Sequence, residues 1–145
     1  MRWLGIDHGT KRIGVAAGST AGGIATPVTV IPAAPFSDAL ARIAELAAEY
    51  EAEGIVVGLP LNMDDTEGPQ ARLARDAARS IAEATGRDVR MWDERLSSFE
   101  ADQALAGSMT RGKRKARQDA VAAAAMLHDF LCSGGPDAAS APDGP

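Results

Sequence analysis

Three strand-like runs arrive before anything with helical spacing, and that order leaves few topologies open. Residues 2–7 ("RWLGID") are short and apolar, Gly9-Thr10 marks a tight turn, and "RIGVAAGS" follows at once. A third run, "IATPVTVI" from Ile24, is rich in β-branched residues. Its Pro27 has no amide to give a neighbouring strand, which predicts a sheet edge there. Three consecutive strands joined this closely predict an antiparallel meander.

The period then changes. Leu40, Ile43, Ala44, Leu46, Ala47 and Tyr50 recur at helical spacing, with Ser37 as the expected N-cap and Gly54 as the stop. "GIVVGLP" is apolar throughout, as a strand covered on both faces must be. After the loop "LNMDDTEG", Pro69 opens a second helix through Leu73, Ala74, Ala77, Ala78 and Ile81 that stops at Gly86. Arg72/Asp76 and Arg79/Glu83, four apart, predict ion pairs on its outer face. "DVRMWDE" reads as a fifth strand, and Ser97 with Glu100 forms a capping box for a further helix. The last helix, "DAVAAAAMLHDFL", is built of small residues that allow close approach to a sheet. The predicted class is α/β: a five-stranded mixed sheet, its first three strands antiparallel, with helices on both faces and right-handed crossovers.

At 145 residues and 46% hydrophobic, the chain suits one domain, expected over residues 1–132. The Gly/Pro/Ala/Ser/Asp composition of residues 133–145 predicts a disordered tail. Cys132 is the sole cysteine, which excludes an internal disulfide and a zinc cluster and suits a reducing compartment. No stretch has the pattern of a signal peptide or a membrane span, so a cytoplasmic protein without a membrane partner is expected. The formal charge of −5 counts against wholesale nucleic-acid binding but leaves room for a local basic patch.

Acidic residues fall at the ends of elements. Asp7 closes the first strand, and Asp93 and Glu94 close the fifth. Taken alone, each is an ordinary turn or helix-start carboxylate. Asp119 is different, because it shares a helical stripe with Ala122, Ala123, Met126 and Phe130. A carboxylate facing a core must be paired, hydrogen-bonded or coordinated. With the first strand central, Asp7, Glu94 and Asp119 would converge on the rim where open α/β sheets bind ligands. Three such carboxylates become compatible around hard divalent cations, magnesium or manganese. Two ions could activate water and stabilise the leaving oxygen of a phosphodiester.

Four motifs in order, "GIDHGTKRIGVA", "VVGLPLNMDDTEG", "WDERLSSFEAD" and "RQDAVAAAAML", resemble the YqgF family of Holliday junction resolvase-like proteins in the ribonuclease H superfamily. Members are regarded as nucleases of pre-16S ribosomal RNA. The resemblance implies the ribonuclease H-like fold and a metal-dependent endonuclease. Its acidic positions fall on Asp7, Glu94 and Asp119 as metal ligands and catalytic residues, with Asp93 as substitute if the strand end is rotated by one residue.

Basic residues adjoin these acids. "RGKRKAR" places Arg111, Lys113, Arg114, Lys115 and Arg117 just before Asp119, while Lys11 and Arg12 follow Asp7. Thr10, Lys11 and Arg12 are expected near the scissile phosphate, and the run from Arg111 on the flanking backbone, through contacts that read no sequence. With three Phe, one Tyr and two Trp the chain offers no evident stacking platform. The expected substrate is ribosomal RNA precursor or branched DNA, and the expected state a monomer or homodimer. Two rivals stand beside this reading. One is a phosphotransferase of the actin and sugar-kinase group, which shares the Asp-x-Gly-Thr hairpin but duplicates the domain. The other is a non-catalytic ribosome-assembly factor.

Overall fold

The computed structural model describes residues 1–9, 11–60, 64, 66–93 and 111–133, with the side chains of residues 111–118 left aside. The Ser97/Glu100 capping box and all of the tail after Ser133 lie outside the described residues, as do Thr10 and Glu94.

Five strands form one sheet: β1 (Arg2–His8), β2 (Arg12–Ser19), β3 (Ala25–Pro32), β4 (Gly54–Leu59) and β5 (Asp88–Asp93), in the spatial order β3-β2-β1-β4-β5. β1 to β3 pair antiparallel as predicted, and β4 and β5 join parallel to β1. β3 is an edge strand. Pro27 lies opposite Ala16, where the β2–β3 register shifts in a bulge, so the missing amide interrupts no regular ladder.

Helices α1 (Phe36–Glu49) and α2 (Pro69–Thr85) cover one face, and α3 (Arg111–Cys132) covers the other. α1 departs from the predicted boundaries at both ends. Pro35 stands at its N-cap position in extended conformation, and its carbonyl accepts from the amides of Asp38 and Ala39, so Ser37 is already inside the first turn. The helix ends at Glu49, because Glu51 takes a left-handed φ of 53° and the Ala52 amide returns to the Ala47 carbonyl. Gly54 is therefore no helix stop; it lies in β4, where a Cβ would come within 2.5 Å of the Trp3 ring. α2 starts at Pro69 and ends at Gly86, whose φ of 67° is left-handed, as predicted. Asp76 takes its hydrogen bond from Arg79 three residues on, not in the predicted pair with Arg72. Leu73, expected on the inward stripe, is 46% exposed.

The last helix is longer than its apolar run. The basic segment from Arg111 and the apolar segment after Asp119 form one 22-residue rod, the abundant Lys, Arg and Ala all being good helix formers.

Two cores share the sheet. Leu4, Ile6, Ile13, Val15, Ile55 and Val57 face α1 and α2. Trp3, Ala16, Val56 and Trp92 face α3, where Phe130 meets the ring of Trp3 edge-on at 4.8 Å and that of Trp92 at 5.9 Å.

Candidate active site

Strand alternation decides which side chains at the rim can meet. In β1, Trp3 belongs to the α3 core and Leu4 and Ile6 to the opposite one. Asp7 therefore follows Trp3 to the α3 face, and His8 turns to the other side, where its ring meets Phe36 edge-on at 5.9 Å.

Directly opposite Asp7 in the β1–β2 ladder is Gly14. A Cβ there would fall 2.0 Å from the main-chain oxygen of Asp119, so only glycine lets α3 settle at this point. Opposed residues in such a ladder have Cα atoms about 4.5–5.5 Å apart. Asp7 thus stands one strand from the place where the α3 backbone touches the sheet, and that place is Asp119. The structure brings two of the three predicted carboxylates to one face, though they are 112 positions apart in the chain.

Asp119 is not bare. Arg12 Nε donates to its Oδ2 at 2.7 Å, with the two side chains 33% and 28% exposed. Arg12, predicted to meet a phosphate, is instead engaged by the carboxylate. Lys11 is exposed, and its carbonyl accepts from Ala33. The Gly9 amide donates to the Arg12 carbonyl at 2.9 Å and closes the β1–β2 turn.

Asp93 is opposite Leu59 in the parallel β4–β5 pairing, and Leu59 belongs to the core beneath α1 and α2. Parallel neighbours share a face, so Asp93 lies across the sheet from Asp7 and is no substitute for Glu94. Glu94 and Thr10 lie outside the described residues. Arg111, Lys113, Arg114, Lys115 and Arg117 are placed by backbone alone, in the first two turns of α3. Among the described residues no group of three or more His, Cys, Asp or Glu could hold a metal ion. Asp7 and Asp119 nonetheless offer the anionic oxygens that hard divalent cations take.

His8 is half-buried. Burial lowers its pKa below the ordinary value, only partly opposed by the neighbouring Asp7 carboxylate, and its Nδ1 is buried without a partner among the described residues. His128 is exposed, and its Nδ1 lies 3.0 Å from the Gly23 carbonyl. Residue spacing carried no sign of the Arg12–Asp119 bond. The close approach at Gly14 did have a signal, a glycine inside a strand pattern.

A family model described as "RuvX: Holliday junction resolvase" matches residues 1–133. The chain belongs to the RuvX family. Among its RuvX relatives, a protein of Anaeromyxobacter dehalogenans (strain 2CP-1 / ATCC BAA-258) is 46% identical over 132 residues, covering 90% of this chain and 96% of the relative. One from Acidiphilium cryptum (strain JF-5) is 42% identical over 131 residues, covering 90% and 83%. Both carry the name "Putative pre-16S rRNA nuclease". Among solved structures, Thermus thermophilus RuvC in complex with a Holliday junction substrate superposes with a TM-score of 0.57 at 18% identity, over 97% of this chain and 99% of that one. A second Thermus thermophilus RuvC structure gives 0.58 at 19% identity, with the same coverage. The RuvX chain therefore has the ribonuclease H-like fold that its motifs imply.

Proposed function

We propose that this chain is a divalent-metal-dependent endonuclease that processes pre-16S ribosomal RNA, with residues 1–132 as the nuclease domain. The observation that supports the reading is that Asp7 lies on the α3 face directly opposite Gly14, the point where the α3 backbone at Asp119 comes against the sheet. Glu94, which lies outside the described residues, is the third carboxylate of the proposed set. Asp7, Glu94 and Asp119 would then hold magnesium or manganese, two ions in the full site. When bound, these ions supply an activated water and neutralise charge at the scissile phosphate.

The chain's own residues prepare that site. Arg12 pairs with Asp119 and balances its charge while no metal ion is bound. α3 begins with five cations at its positive dipole end and has no acidic residue in its first turn. This arrangement repels itself and is relieved by phosphate, so the start of α3 suits the flanking backbone of a nucleic acid. Lys11 flanks the same rim, and Thr10, outside the described residues, joins it in the proposal as a phosphate contact. The relatives' shared name directs the reading to ribosomal RNA precursor.

Asp7→Asn removes a charged ligand with little change in volume. Cleavage of a pre-16S RNA substrate in Mg²⁺ or Mn²⁺ is expected to fall at least about 100-fold, with the circular dichroism spectrum unchanged. A variant cutting at the wild-type rate ends the proposal. A four-way DNA junction run in parallel distinguishes a resolvase, and binding to both substrates without cleavage in either metal identifies an assembly factor.

A further inference from the structure

A cleft of about 400 Å³ opens at the same rim on the opposite face of the sheet, walled by His8, Phe36, Leu73, Asp76, Ala77 and Ser80. Its size lies within the range of small-molecule sites. Three features set it apart from an ordinary groove. Leu73 is one of four large hydrophobic side chains left exposed among the described residues. The His8 and Phe36 rings stand edge to face, which gives the wall an aromatic corner. Among the described residues His8 Nδ1 is buried without a hydrogen-bond partner, a state that a buried polar atom seldom keeps.

Apolar and aromatic walls with a few polar groups on one side suit a flat heterocycle with a polar edge. The Ser80 hydroxyl can donate or accept, the Asp76 carboxylate accepts, and His8 Nδ1 needs a partner. Position narrows the ligand further. His8 follows Asp7 directly, so the cleft and the carboxylate are back to back across one strand, with the Gly9 turn as the edge between them.

We propose that this cleft binds one unpaired nucleobase of the substrate strand, next to the phosphate held at Asp7. The inference rests on the nuclease reading for its register, but not for the existence of the pocket. The strand crosses the Gly9 turn, leaving its phosphate on the α3 side and its base against Phe36 and Leu73. The cleft thereby requires single-stranded character at the cut, since a paired base cannot enter it. It also supplies the stacking surface that aromatic content alone did not reveal.

Two measurements test this. First, a single abasic site is moved along an RNA substrate, and binding is measured with the wild type and with Ser80→Phe, which fills the cleft from a partly exposed position. One abasic position adjoining the cut is expected to weaken wild-type binding about 5- to 150-fold, the range for loss of one stacked base, and to have no further effect in Ser80→Phe. Equal wild-type binding at every abasic position overturns the proposal, even if Asp7→Asn confirms the nuclease. Second, the wild type is titrated with the four nucleoside 5′-monophosphates in EDTA, followed by amide resonances. Shifts at Leu73, Ala77 and Ser80 that disappear in Leu73→Glu support the pocket, and no shift at millimolar nucleotide overturns it. This second arm decides the pocket even if no substrate is ever cleaved.

Discussion

Arg12 and Asp119 hold each other at 2.7 Å from opposite ends of the chain, and the bond sets the resting charge of the site. A guanidinium beside a carboxylate competes with any cation that would bind there. Because both side chains are about a third exposed, the pair contributes little to stability, about 1 kcal/mol at most. On the proposed metal-dependent reading, its effect falls on metal affinity. Arg12→Gln is expected to tighten Mg²⁺ binding by roughly 3- to 10-fold, the worth of a partly screened ion pair, while the melting temperature scarcely moves. Isothermal titration with Mg²⁺ measures this, and an unchanged or weaker affinity would show that Arg12 does not compete. Gly14 is the opposite case, a residue whose worth lies in having no side chain. Gly14→Ala drives a methyl into the α3 backbone and is expected to cost about 1–3 kcal/mol or more in chemical denaturation, with cleavage lost beyond what the stability change explains.

At the scale of elements, the approach to α2 is fixed by one ion pair. Arg75 donates from Nε to Glu67 Oε1 at 2.7 Å and from a terminal nitrogen to Oε2 at 2.8 Å. Hydrogen bonding to Arg75 holds the Glu67 carboxyl below the usual glutamate range. A carboxylate with a depressed folded pKa stabilises above its unfolded pKa and loses that contribution as pH falls through the folded value. Glu67→Gln should therefore lower the melting temperature slightly at pH 7, with a gap to wild type that closes below about pH 4. A gap that persists into acid would assign the effect to packing. The strands and the period switch to helices were legible because alternation and 3.6-residue spacing are local properties. The ends of α1 were not: Pro35 displaced Ser37 as the cap, and Glu51 took the left-handed turn that a glycine was expected to make. The true length of α3 was hidden because the apolar stripe begins only at Asp119, whereas Lys, Arg and Ala extend a helix with no stripe at all.

For the whole molecule, β1 is the common wall of two cores, and the site sits at its end. The first core joins the sheet to α1 and α2; the second joins it to α3 through Trp3, Trp92 and Phe130. Phe130→Ala is expected to cost about 3–5 kcal/mol, a large share of the 5–15 kcal/mol typical of a domain, and to be read from urea midpoints. A loss under 1 kcal/mol would mean that the α3 layer contributes little. Asp7 and Asp119 could be chosen from sequence because a carboxylate at a strand end and another on an apolar stripe are each conspicuous. That Gly14 joins them, that Arg12 occupies one of them, and that His8 faces a cleft on the far side are relations between distant segments. No local pattern encodes such relations.

Asp119 and Phe130 ride on the same rod, eleven residues apart and so about 16 Å along its axis. Such a rod, wedged between two indoles at its far end, acts as a lever. Tipping it by about 4° swings the carboxylate end by roughly 1 Å, a misplacement that can slow a reaction about 100-fold. Repacking around the two tryptophans should therefore tune turnover from a distance, leaving every group at the rim chemically intact.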